Sequence, residues 1–185
     1  MTFDELQPGD TASLVRTLTH KDIEVFAIMS GDVNPAHVDE TFAKSDMFHK
    51  VVAHGMWGAS LISAVLGTEL PGPGNIYADQ SLHFLRPVVL GDTITVTVKV
   101  AKKIEDGHRV ILECRATNQR GEDVITGTAE VIAPTEKISR AGVVLRPCPV
   151  LQGQAMYRQH RGPAPYQSDA ARSPRKSANR ALRWR

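Results

Sequence analysis

The stretch that most limits what this chain can fold into is residues 53–70, AHGMWGASLISAVLGTEL. Wound into a helix, it shows apolar or small side chains on every side and no charged stripe for solvent. A surface helix keeps a polar face, so this one is predicted to be buried and wrapped by other structure. It would run for about five turns. PGPGN at residues 71–75 then closes it with turn chemistry.

What wraps it follows in the sequence. Residues 76–86, 93–104, 108–119 and 122–133 all read as strands. TITVTVKV alternates with period two, and EDG and RG supply tight turns. Residues 12–18, ASLVRTL, read as another strand with imperfect alternation. Thr19 can N-cap a helix over HKDIEVFAIMS, with Asp22 as its capping-box partner and Ile23, Phe26 and Ala27 on one stripe. Gly31 ends that helix. An apolar helix followed by long antiparallel strands is an α+β pattern, a curved sheet wrapped around a central helix. Such a sheet has open edges, and edge pairing predicts a homodimer or a dimer of dimers.

Composition narrows the setting. The chain has 185 residues, 42% of them hydrophobic, enough for one domain with a real core. No run reaches the ~18 apolar residues that span a bilayer, and the acidic start MTFDELQPGD is not a signal peptide. Cys114 and Cys148 fit no metal or redox spacing. These features predict a reduced, cytoplasmic setting with no membrane partner. The net charge of +2 hides an asymmetry: residues 1–137 carry 12 Lys/Arg and 19 Asp/Glu, residues 138–185 carry 10 Lys/Arg and the single acid Asp169. A domain over 1–137 and an Arg/Pro-rich tail over 138–185 follow, the tail predicted to be disordered. Its aromatic residues Tyr157, Tyr166 and Trp184 are widely scattered, so nucleic acid is not the expected partner.

After Gly31 comes the densest chemistry, DVNPAH, residues 32–37. Asp32 and His37 sit on a connection stiffened by Pro35, where a carboxylate and an imidazole can converge on one water and exchange protons. Asn34 would support the carboxylate or the loop. Turn chemistry alone also uses these residues freely. The second half is His54-Gly55-Met56 at the start of the apolar helix, where unpaired N–H groups and the helix dipole suit a developing oxyanion. Gly55 lets a substrate approach that backbone, or serves only close helix–sheet packing.

The run FAIMSGDVNPAH at 26–37, with Ala43 six residues on, resembles the signature of (R)-specific enoyl-CoA hydratases, the MaoC-like hotdog-fold enzymes. VVAHGM at 51–56 and FLRPVVLGDT at 84–93 resemble the same family, and the likeness covers about residues 8–134. Met29 and Ala36 depart mildly, standing where other aliphatic residues are more usual. The resemblance implies a hotdog fold and reversible syn hydration of trans-2-enoyl-CoA to (R)-3-hydroxyacyl-CoA, within fatty-acid metabolism. It implies that Asp32 and His37 handle the protons and that the Gly55 N–H holds the thioester enolate. Ser63 matches a supporting pocket position. Leu66 would bound the acyl pocket or be plain core, and Arg86 is the best-placed partner for CoA phosphates. No cofactor is implied, because the thioester itself acidifies the α-proton. A metal is not expected, since His49 and His54 share no helical face.

Two alternatives stand beside this reading: a hotdog acyl-CoA thioesterase, and a non-catalytic acyl-CoA-binding module with a basic tail. The tail also reads as the severed linker to a phosphotransacylase domain, which follows the hydratase in some longer relatives.

Overall fold

Alternation along TITVTVKV divides the strand between two faces: Ile94, Val96, Val98 and Val100 are fully buried, while Thr93, Thr95, Thr97 and Lys99 point away from the core. The computed structural model describes residues 1–138, and the expectations for the tail beyond them lie outside the described residues. The elements are β1 (Thr11–Thr17), α1 (His20–Ser30), α2 (Pro35–Val38), α3 (Glu40–Ser45), α4 (Gly55–Thr68), β2 (Ile76–Phe84), β3 (Thr93–Ile104), β4 (Arg109–Thr117) and β5 (Asp123–Ile132). All five strands form one antiparallel sheet ordered β1-β3-β4-β5-β2, leaving β1 and β2 at its edges.

The predicted α+β architecture is present, with one face of the sheet against α4. Ile62, Val65 and Leu66 of α4 join Val96, Val98, Val110, Leu112 and Val131 of the sheet in a single core cluster. Each such side chain contributes about 1.5–3 kcal/mol on burial. Helix and sheet approach closely at Gly58, where a Cβ would fall 2.5 Å from Ile125 Cδ1.

The central helix differs from its sequence reading in two respects. It has 14 residues, roughly four turns. The residues before it are extended, because Ala53 N–H donates to Val88 C=O at 2.8 Å and Val52 pairs with Val89. Among the described residues it is also covered on one side only. Met56, Ser60, Ser63 and Gly67 recur at helical spacing and are all exposed.

The element that carries the site is capped as expected. Thr19 Oγ1 accepts from the Asp22 N–H, and Asp22 Oδ2 accepts from the Thr19 N–H. Arg16 of β1 donates to the same carboxylate, tying the helix start to the sheet. Burial pushes the Asp22 carboxyl up, but the Thr19 and Arg16 bonds outweigh it and hold the group below its ordinary value. Gly31 ends α1 in the left-handed region at φ 76°, its N–H donating to Ala27 C=O. That turn delivers the chain into the DVNPAH segment.

Candidate active site

Three local bonds shape the loop after Gly31. Ser30 Oγ accepts from the Asp32 N–H at 3.2 Å, Asp32 Oδ1 accepts from the Asn34 N–H at 3.2 Å, and Asn34 Oδ1 accepts from the Ala36 N–H at 3.1 Å. Asn34 is thus the N-cap of α2, with Pro35 in its first turn. The turn role weighed for Asp32 and Asn34 is therefore real. It leaves Oδ2 of Asp32 outside the turn, on an exposed residue.

His37 is half-buried, and its Nδ1 lies 2.9 Å from Val52 C=O. A carbonyl only accepts, so Nδ1 carries a proton, and in the neutral ring Nε2 presents the lone pair. His54 adds a side chain that sequence reasoning passed over in favour of its neighbour Gly55. It is the N-cap residue of α4 and is 2% exposed. Its Nε2–H donates to the backbone carbonyl of Asp32 at 2.9 Å. Its ring centroid lies 4.0 Å from that of His37 and 4.9 Å from that of Phe26. Nδ1 of His54 is buried with no hydrogen-bond partner among the described residues. The histidine immediately before the helix-opening glycine was the available signal.

Gly55 opens α4 one residue after His54. A Cβ there would lie 3.2 Å from Phe84 Cε1, so the aromatic edge of β2 borders the helix N-terminus. The first turn of any helix leaves backbone N–H groups without intrahelical partners. Carboxylate, imidazole and helix N-terminus thus come together, through the backbone continuity of His54 with Gly55 and its bond to Asp32.

Asp32, His37 and His54 each offer one ligand atom, all within 4.8 Å of one another, a donor set able to hold a metal ion. All three belong to the wider set, with His49 and Asp39, whose spacing in sequence offers no reason to expect a metal. Of the other two, His49 is exposed and bonds Lys44 C=O, while Asp39 caps α3. The fold instead brings His54 to His37 from 17 residues away in sequence.

The remaining candidates fall elsewhere. Ser63 is exposed on the open stripe of α4, eight residues from Gly55, about 12 Å along the axis. Leu66 is fully buried in the core cluster, so packing is its visible role. Arg86 donates to Asp123 C=O at 2.6 Å and its Nε lies 3.9 Å from Glu122. These contacts tie Arg86 to the start of β5, with its side chain still about half exposed. Ala43 of the signature is fully buried and packs α3 down. Lys103 sits 4.4 Å over the Phe3 ring.

Against known proteins, residues 7–122 match the model of the MaoC-like domain. An (R)-specific enoyl-CoA hydratase of Rhodospirillum rubrum is 46% identical over 132 residues, 71% of this chain and 91% of that protein. A 3-hydroxybutyryl-CoA dehydratase of Methylorubrum extorquens is 42% identical, over 73% of this chain and 85% of its own. Among solved structures, the unliganded R-hydratase PhaJ1 of Pseudomonas aeruginosa superposes with a TM-score of 0.76 at 41% identity, covering 80% of this chain and 94% of that one. The fold is thus the hotdog fold expected from the signature. With the signature residues in place on that fold, and more than half the chain matched, the protein belongs to the MaoC-like family.

Proposed function

We propose that this protein is an (R)-specific enoyl-CoA hydratase, a hydro-lyase that reversibly adds water syn across trans-2-enoyl-CoA to give (R)-3-hydroxyacyl-CoA. The observation that carries the reading is the convergence of Asp32 and the His37 imidazole beside the N-terminus of α4. The two names among its relatives support it, since enoyl-CoA hydratase and 3-hydroxybutyryl-CoA dehydratase describe one kind of reaction in opposite directions.

In hydration, the water oxygen bonds to C3 and one water proton passes to the Asp32/His37 pair. The C2–C3 π electrons move toward the thioester, placing negative charge on its oxygen. The Gly55 N–H and the helix dipole stabilise that oxygen where charge develops. C2 then takes a proton from the pair on the same face. Water has added as OH at C3 and H at C2. His37 enters as an acceptor because Val52 holds its proton on Nδ1. The thioester acidifies the α-proton, so no metal or organic cofactor takes part. Asn34 holds the loop. Ser63 lines the approach along α4, and Leu66 acts on chain length only from the core behind it. Arg86 meets a CoA phosphate by exchanging Glu122 for it.

Proton transfer needs a drier site than the described residues of one chain provide. Asp32 is exposed, and Ile28, Met29 and Val33 around it are 79%, 70% and 67% exposed. Edge strand β2 likewise exposes Ile76, Tyr77 and Phe84. A homodimer that covers these surfaces fits them, with residues 1–137 as the catalytic unit. Among the described residues no helix is long and apolar enough to cross a membrane.

The test is loss of the conjugated absorbance of crotonyl-CoA with wild type and Asp32→Asn. The wild type consumes the absorbance without releasing thiol, and the variant loses about 10²-fold or more. Release of free CoA thiol by the wild type would instead make it a thioesterase.

A further inference from the structure

We infer that His54 is a positioning residue, one that sets the Asp32 carboxylate against the Gly55 N–H by clamping the Asp32 backbone to the start of α4. The inference rests on the hydratase reading above.

The bonds that shape the Asp32 loop from within span two or three residues: Asp32 to Ser30, Asn34 to Asp32, Ala36 to Asn34 and His37 to Asn34. The far end of the loop is tied to Val52 through Ala36 C=O and His37, bonds that do not reach Asp32 itself. The Asp32 carbonyl makes the long-range connection, accepting from His54 Nε2 across 22 residues of sequence. His54 is covalently joined to Gly55, so one residue spans both halves of the site. Its ring is held on two sides, by His37 at 4.0 Å and Phe26 at 4.9 Å. His37 is itself fixed on Val52. Packing alone does not explain a histidine here. A phenylalanine would fill the space without burying Nδ1 unpartnered, and a buried polar atom without a partner is costly. The donor to Asp32 C=O is what the imidazole adds.

The chemistry predicts which replacements matter. His54→Phe keeps the ring and the burial but removes the donor. His54→Gln places an amide N–H near the position of Nε2. His54→Asn places it near Nδ1, out of reach of the Asp32 carbonyl. On crotonyl-CoA, H54F should lose about 10–100-fold in kcat, the range in which misplacing a catalytic group is felt. KM and the affinity for butyryl-CoA, which binds but cannot be hydrated, should hold. H54Q should recover most of the loss and H54N should not.

The decisive readout is the cycle with Asp32→Asn. If His54 acts through Asp32, adding H54F to D32N costs little further, because the group it positions is already disabled. H54N takes the place of H54F in the cycle should the latter fail to fold. Additive losses, or parallel falls in kcat, butyryl-CoA affinity and melting temperature for all three variants, overturn the inference and leave a structural role. A wild type that does not hydrate crotonyl-CoA overturns the hydratase reading and this inference together.

Discussion

The two sides of α4 differ in kind. Toward the sheet it presents Leu61, Ile62, Val65 and Leu66, all buried in one cluster with the strands. Away from the sheet it presents Met56, Ser60, Ser63 and Gly67, small or flexible residues left open by the described residues. One side supplies stability through apolar burial. The other contributes little to holding the chain together and is free to serve assembly and substrate. Asp32, His37 and Gly55 gather at the N-terminal end of the helix, while Ser63 lies on the open side and Leu66 on the buried one.

The comparison breaks most readily at Ile62, which is fully buried. Ile62→Ala should cost about 2–5 kcal/mol in urea unfolding, from lost transfer energy plus a residual cavity. A loss below 1 kcal/mol would mean the sheet side is not the structural side. A smaller effect belongs to the cap that joins α1 to the sheet. Asp22→Ala should cost about 1–2 kcal/mol at neutral pH, the range for a lost N-cap partnership. Because the Asp22 carboxyl lies below its ordinary value of 3.8 in the folded state, its contribution is full above that pH. It is lost as the pH falls through the folded-state value, so acid titration should bring the stabilities of wild type and variant together there. The smallest effect is expected on the open side. Ser63→Ala should change stability by no more than about 0.5 kcal/mol. A large loss there would show that the exposed stripe carries fold stability.

The sheet was legible because its signal is local. TITVTVKV reads as β3 over the observed bounds Thr93–Ile104, and the capping box at Thr19 and the stop at Gly31 stand where the residues put them. The central helix was over-read at its start, because Ala53 scores as helical while its N–H is committed to Val88. Its open stripe was hidden for a related reason: serine and glycine look like packing residues until one knows which side the sheet takes. In the site, the spacing of Asp32, Asn34 and His37 was visible as a motif. The contact of His54 with Asp32 was not, since it depends on how α1 and α4 meet. The neighbours of Arg86 were hidden in the same way: its position before Pro87 is visible in sequence, but only the pairing of β2 with β5 brings Glu122 and Asp123 to it.

The central claim is stereochemical, so the most direct measurement is the configuration at C3 of the product formed from crotonyl-CoA. The thioester is hydrolysed after the reaction and the 3-hydroxybutyrate resolved on a chiral column. The account predicts the R acid from the wild type, with formation slowed by Asp32→Asn. The S acid, a racemate, or free CoA with unhydrated crotonate would contradict it.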